Sequence, residues 1–294
     1  MRTGSIHDRP ASGAWRAVLA VALLAASFGC THEPAFRRQA EEEGLIDAIR
    51  DTLLSSVEAE KSAVLATTDE ESLAMARESR RLAEKIDGLV GDLRTRIEAD
   101  GRTTVAESFA AFVARWKELE AVDDRLLTLA VRNTNLKAMR LAARDGFAAV
   151  DRFLVAMDAM ARSSNDPETI RTLNAAAIAA LREQSLLQIH IPSSDDAEMT
   201  RLEGQMAELA ASVDRALATV RASNAVPAGA LDTAAEAWAE QRRITTEALK
   251  LSRENTNVRS FDVSVHEKRV VTRECLDALA ALRSAVASSP QANR

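Results

Sequence analysis

The chain has 294 residues, a net charge of −6, 47% hydrophobic but only 3% aromatic residues, ten glycines, six prolines and two cysteines. That length allows one or two domains, and an aromatic-poor, Gly- and Pro-poor composition argues for helices and against a β-sandwich. Two cysteines exclude a disulfide-dense scaffold and any four-thiolate metal site within one chain, and the acidic balance argues against a nucleic-acid partner.

The first element is an address. Arg2, Arg9 and Arg16 precede an apolar run from Ala17 to Phe28, and a charged start followed by a short apolar stretch is the pattern of a secretory signal. The run is too short for a membrane span, which needs about 20 residues. Ser27-Phe28-Gly29-Cys30 resembles a bacterial lipobox, which implies cleavage after residue 29 and lipidation of Cys30; ordinary signal cleavage after Gly29 fits the same residues. Residues 1–29 are then a signal peptide and 30–39 a tether. The expected location is the periplasmic side of a bacterial membrane. Thr31 after the cysteine resembles lipoproteins sorted to the outer membrane.

From Ala40 onward apolar residues recur at three- and four-residue spacing, as in Leu129, Leu136, Ala143, Phe147, Val150, Leu154 and Met157, the period of an amphipathic helix. Breaks with helix-start chemistry follow in order. Thr67-Thr68-Asp69-Glu70-Glu71 offers a hydroxyl cap and a Thr68/Glu71 capping box, and Gly101 a stop before Thr103. Asp166-Pro167 supplies a cap and a first-turn proline, while Ser193 to Asp196 and Asn224 to Gly229 close the series. Weaker breaks fall at Asn133-Thr134-Asn135 and Asn255-Thr256-Asn257. The expected fold is all-α, two tandem antiparallel up-down four-helix bundles. The alternative is two stacked bundles sharing long helices, with Asn133 and Asn255 inside continuous helices. Residues 288–294 read as a polar tail.

The chain also repeats itself. Trp116 stands as far before Asn133 as Trp238 stands before Asn255, and the halves are offset by 122 residues. Glu60-Lys61-Ser62 parallels Glu183-Gln184-Ser185, and Thr67 to Leu73 resembles Ser193 to Met199. Four landmarks in one order indicate duplication. The expected domains are residues 40–162 and 166–287.

The run Glu60 to Glu70, followed by Phe112, Trp116 and the Asn-Thr-Asn turn, resembles the four-helix-bundle sensory module of methyl-accepting chemotaxis receptors. Glu254 to Ser260 is similar to that module's final helix. The resemblance covers about residues 40 to 287, twice over. It implies an extracytoplasmic module that binds a small organic ligand, or a protein carrying one. The second span and cytoplasmic coiled coil of such receptors have no counterpart in the sequence, so signalling requires a membrane-protein partner.

Catalytic patterns are absent from the sequence. His190 and His266 have no Glu three residues before them and belong to no Cys-x-x-Cys-His or His-Glu-x-x-His motif. No phosphate loop, dinucleotide fingerprint or nucleophile elbow occurs. The expectation is a non-enzymatic protein without metal or cofactor. Cys275 reads as a core residue, with a disulfide to an unlipidated Cys30 as the alternative. Polar residues on apolar stripes are the candidate ligand-pocket set: Trp116, Asn133, Asn135, Arg140, Trp238, Asn255, Asn257 and Asp262. The competing reading makes each asparagine a helix cap and each tryptophan core. The function expected is a lipid-anchored sensory or ligand-binding bundle, a homodimer being compatible with it. The alternative is a structural or adaptor envelope lipoprotein that binds another protein and no small molecule.

Overall fold

The structure is a computed structural model describing residues 33–289. The signal peptide, Cys30, Thr31 and residues 290–294 of the expected tail lie outside the described residues. Within them the chain is helical and contains no strand. We number the helices α1 (Glu33–Leu65), α2 (Asp69–Asp100), α3 (Thr103–Ala130), α4 (Thr134–Arg140), α5 (Phe147–Ser163), α6 (Pro167–His190), α7 (Asp196–Ser223), α8 (Ala228–Glu254), α9 (Thr256–Asp262) and α10 (Arg269–Ser288). One wide π turn, Leu141–Gly146, joins α4 to α5, and another, Val263–Lys268, joins α9 to α10. Residues 33–39, expected as tether, belong to α1.

The helix boundaries follow their cap chemistry. Thr68 Oγ1 accepts the Glu71 N–H at 3.1 Å, while Glu71 reaches back to the N–H of Thr67 at 3.3 Å. Asp166 accepts from the amides of Glu168 and Thr169, with Pro167 in the first turn. Asp195 does the same for Ala197 and Glu198. Gly101 stops α2 at φ 64°, where a Cβ would be strained. Asn224, Asn133 and Asn255 take the same left-handed region at φ 51°, 49° and 53°, which asparagine tolerates better than most side chains.

Contacts divide the described chain into two compact units: residues 33–54, 83–117 and 273–289, and residues 55–82 and 118–272. This is not the 40–162 and 166–287 division that the repeat suggests. The first unit has a core of Ile46, Ile49, Leu53, Ile86, Leu93, Phe112, Trp116 and Leu282. Ion pairs Arg96–Glu41, Arg115–Glu274 and Arg283–Asp47 lie on its surface at 2.5, 3.2 and 3.3 Å.

The second unit has one hydrophobic cluster where α5 packs against α6 and α8, and α6 against α7. Phe153, Met157 and Met160 meet Leu173, Ala180, Val213, Leu231 and Trp238 there. A second cluster joins Ala63, Val64 and Ala76 to Leu126, Leu127 and Ala130, with Val263 against it. Partners are therefore exchanged between the halves of the sequence. Phe153 lies before the midpoint yet packs with helices after it, and Val263 lies after it yet packs with α1 to α3. Two tandem bundles, each closed within its own half, do not describe these contacts. The duplicated pattern is the same whether a half closes on itself or on its copy, so the offset alone does not choose. Nor is the chain continuous through Asn133 and Asn255, where the left-handed residue separates α3 from α4 and α8 from α9.

Candidate functional site

The two Asn-Thr-Asn turns meet. The N–H of Thr134 donates to Oγ1 of Thr256 and the N–H of Thr256 to Oγ1 of Thr134, each at 3.1 Å. Likewise the N–H of Asn135 donates to Asn257 Oδ1 and the N–H of Asn257 to Asn135 Oδ1, each at 3.1 Å. The first turn of each helix leaves amides without an intrahelical acceptor, and here each copy caps the other. Neither Asn133 nor Asn255 caps its own helix with its side chain. Instead Asn257 Nδ2 donates to Asn133 Oδ1 at 2.9 Å, and Asn135 Nδ2 to Asn255 Oδ1 at 2.7 Å. Asn135 Nδ2 also reaches the carbonyl of Ile191 at 2.8 Å, and Asn255 Nδ2 that of Ser193 at 2.9 Å. These bonds hold the connection between α6 and α7. His190, fully buried beside it, lies 2.9 Å from Ser252 Oγ and 2.9 Å from Glu203 Oε1. Burial pushes its pKa below the usual imidazole value, against the pull of Glu203.

Of the eight candidate pocket residues, the four asparagines therefore come together, and they bond to one another. Trp238 donates to Asp214 at 2.6 Å and tilts against Phe153 at 5.4 Å in the second unit. Trp116 donates to Asp87 at 2.9 Å in the first. The duplication thus extends to the partner of each indole. Arg140 is exposed and donates to the Thr67 carbonyl at 3.2 Å. Asp262 is exposed, 3.6 Å from His266.

A largely apolar cavity of the second unit lies elsewhere, between the C-terminal half of α1 and the π turn at Val263–Lys268. It holds about 360 Å³, near the lower end for small-molecule sites. Its walls are mainly apolar, with Val57, Val64 and Leu65 facing Phe261 and Val265. Two buried charges line it, Glu60 at 0% exposure and Lys268 at 2%. Lys268 Nζ contacts Asp123 and stands 3.3 Å from Glu60 Oε2. Burial, reinforced by the charges of Glu60 and Glu120 and opposed by Lys268, pushes the Asp123 carboxyl up to about 6. Neither oxygen of Glu60 has a hydrogen-bond donor in good geometry, and the Thr272 hydroxyl on the same wall has no partner.

The duplicate of this place is built differently. Glu183, fully buried like Glu60, accepts from Arg242 at 3.0 Å, and burial pushes its carboxyl up to about 7. Lys61 is replaced by Gln184, and the position 122 residues before Lys268 is Gly146. Gln184 Nε2 donates to the Ala142 carbonyl at 2.8 Å and Gln241 donates to Gln184 Oε1 at 2.8 Å. A Cβ at Gly146 would stand 3.2 Å from that amide, so the glutamine packs onto the glycine where the first copy has space. One copy is filled by its own side chain; the other is open.

Sequence reasoning passed over Glu60 and Lys268 as site residues. The signal was present in two stripes. Glu60 interrupts Val57 and Val64, and Lys268 falls on the buried line of Cys275, Leu279 and Leu282.

Among the described residues, no group of three or more His, Cys, Asp or Glu is arranged to hold a metal, and no helix is long and apolar enough to cross a membrane. No family model matches the chain, and neither the curated proteins nor the solved structures include a match to it.

Proposed function

We propose that this is a non-enzymatic sensory bundle that binds a small organic molecule in the cavity between α1 and the second π turn. In this reading it is exported, held by lipidated Cys30 on the periplasmic side of a bacterial membrane, and reports to a membrane-protein partner. Its duplicated halves form two four-helix bundles, each completed by the last helix of the other half. The observation that carries the reading is the contrast between copies: Gln184 fills the site over Gly146, whereas Glu60 and Lys268 face an open cavity. π turns inside helices often accompany functional sites, because the extra residue displaces side chains from the helical repeat.

A thermal-shift screen of the mature chain against organic acids, amino acids, aromatic acids and amines tests it. A ligand at a hundredfold excess over its Kd stabilises the folded state by about 2.7 kcal/mol, or about 5–10 °C for a chain of this size. No shift from any compound would refute the reading. The adaptor reading has its own support in the exposed stripe of Ile178, Leu181 and Ile189 on α6. Recovery of a membrane-protein partner by crosslinking through α6, with no thermal shift, would favour it. Mass spectrometry of the mature N-terminus tests the anchor, and an unmodified Cys30 would overturn it.

A further inference from the structure

The polar groups on the cavity wall share one property. Glu60 lines the cavity with both oxygens buried and neither held by a donor in good hydrogen-bond geometry, although Lys268 Nζ stands 3.3 Å from one, and the Thr272 hydroxyl is without a partner. A carboxylate can only accept, and a hydroxyl can accept as well as donate. The buried cluster behind them sets two carboxylates, Glu60 and Asp123, against one ammonium, Lys268. An excess buried negative charge is costly unless another cation answers it. At the mouth the sign changes, since Lys61 and Arg269 are both exposed cations on the lining. The site therefore offers acceptors at depth, an apolar body between, and positive charge at the entrance.

From this pattern we infer that the cavity takes an organic monocation, a primary ammonium on an uncharged apolar body, with Glu60 as its counter-ion. The inference rests on the proposed function of the cavity and names the ligand class. The ammonium supplies aligned N–H donors to Glu60, which has Lys268 only as an ion-pair partner, and to the Thr272 hydroxyl. Val57, Val64 and Phe261 cover the body. Lys61 and Arg269 then discriminate by repulsion, because a second ammonium at the far end of the ligand would sit between them. A chain amine fits this arrangement and a diamine of the same length does not.

Isothermal titration of the mature chain with hexylamine, hexane-1,6-diamine, hexanol and hexanoate tests the inference. A charge-assisted hydrogen bond strengthens binding by about tenfold or more, so hexylamine should bind about tenfold more tightly than hexanol. The diamine and hexanoate should bind no better than hexanol. In Glu60→Gln the amine should lose about tenfold and with it the preference over hexanol, and an unchanged circular dichroism spectrum reports that the helices still fold. Hexanol matching hexylamine, hexanoate binding best, the diamine matching the amine, or an unaltered amine affinity in Glu60→Gln would each overturn the monocation assignment and leave the cavity as a ligand site. Failure of all four compounds to bind would overturn the monocation assignment, and a blank small-molecule screen beside it would remove the ligand-site reading as well.

Discussion

Replacing Asn135 with alanine tests whether the mutually bonded Asn-Thr-Asn turns stabilise the second unit. The side chain is 6% exposed and makes three hydrogen bonds: it accepts from the Asn257 amide and donates to the Ile191 carbonyl and to Asn255 Oδ1. Truncation leaves one donor and two acceptors without a partner. A buried polar group stripped of its partner costs about 1–3 kcal/mol. Water can reach part of this region through the half-buried Asn257, which places the sum nearer the lower end, at about 3–5 kcal/mol. Asn135→Asp is the sharper variant. It keeps the acceptor for the Asn257 amide but turns a carboxylate oxygen toward two other oxygens, so it should cost at least as much as alanine. Urea unfolding followed by circular dichroism, with the m value unchanged, measures both. A loss below about 0.5 kcal/mol in Asn135→Ala, the size of an ordinary surface effect, would mean that the paired turns do not stabilise this unit. So would an aspartate variant as stable as the parent.

Three further outcomes follow from the buried polar groups. Thr134→Val removes the acceptor of the Thr256 amide and should cost about 1–3 kcal/mol in the same urea assay. Lys268→Met leaves Glu60 and Asp123 buried without their ammonium. It should destabilise by about 3–5 kcal/mol at pH 8, with partial recovery in acid as Asp123 takes up a proton; a uniform loss from pH 5 to 8 would contradict this. Glu183 has a folded pKa of about 7 against an ordinary 4.5, so the folded state binds the proton more tightly than the unfolded state. Its contribution is full below 4.5 and is lost as the pH rises through 7. Glu183→Gln should therefore gain about 3 kcal/mol relative to the parent between pH 4 and pH 8, and a difference that does not change with pH would exclude the assignment.

The parts legible in the sequence are those written in local chemistry. Thr68, Asp166, Pro167, Asp195 and Gly101 mark helix ends because their side chains, or the lack of one, act within a single turn. The spacing of Trp116 and Trp238 from the asparagine turns reveals the duplication, and the matching Trp–Asp bonds carry it into three dimensions. Partner choice is another matter. Phe153 and Val263 would show the same apolar period in either arrangement, so the exchange between halves leaves no mark in the pattern. The asparagines are legible as polar residues at a break, but their bonds to one another run across 120 to 124 positions, beyond any local rule. The cavity is legible only in part: Lys268 falls on the buried line of Cys275 and Leu279, but the contrast with Gly146 depends on Gln184 packing onto that glycine, a contact between distant positions.

If the open copy is the ligand site, a side chain that fills it abolishes binding. Val265 lines the cavity and is 37% exposed, so Val265→Trp can place an indole in the space with little demand on the core. The measurement is the ligand-induced thermal shift of Val265→Trp beside the parent, using the strongest compound from the screen. Val265→Trp should melt close to the parent in buffer and show no shift with ligand. A shift of the same size in both proteins would contradict this and place the binding site elsewhere on the molecule.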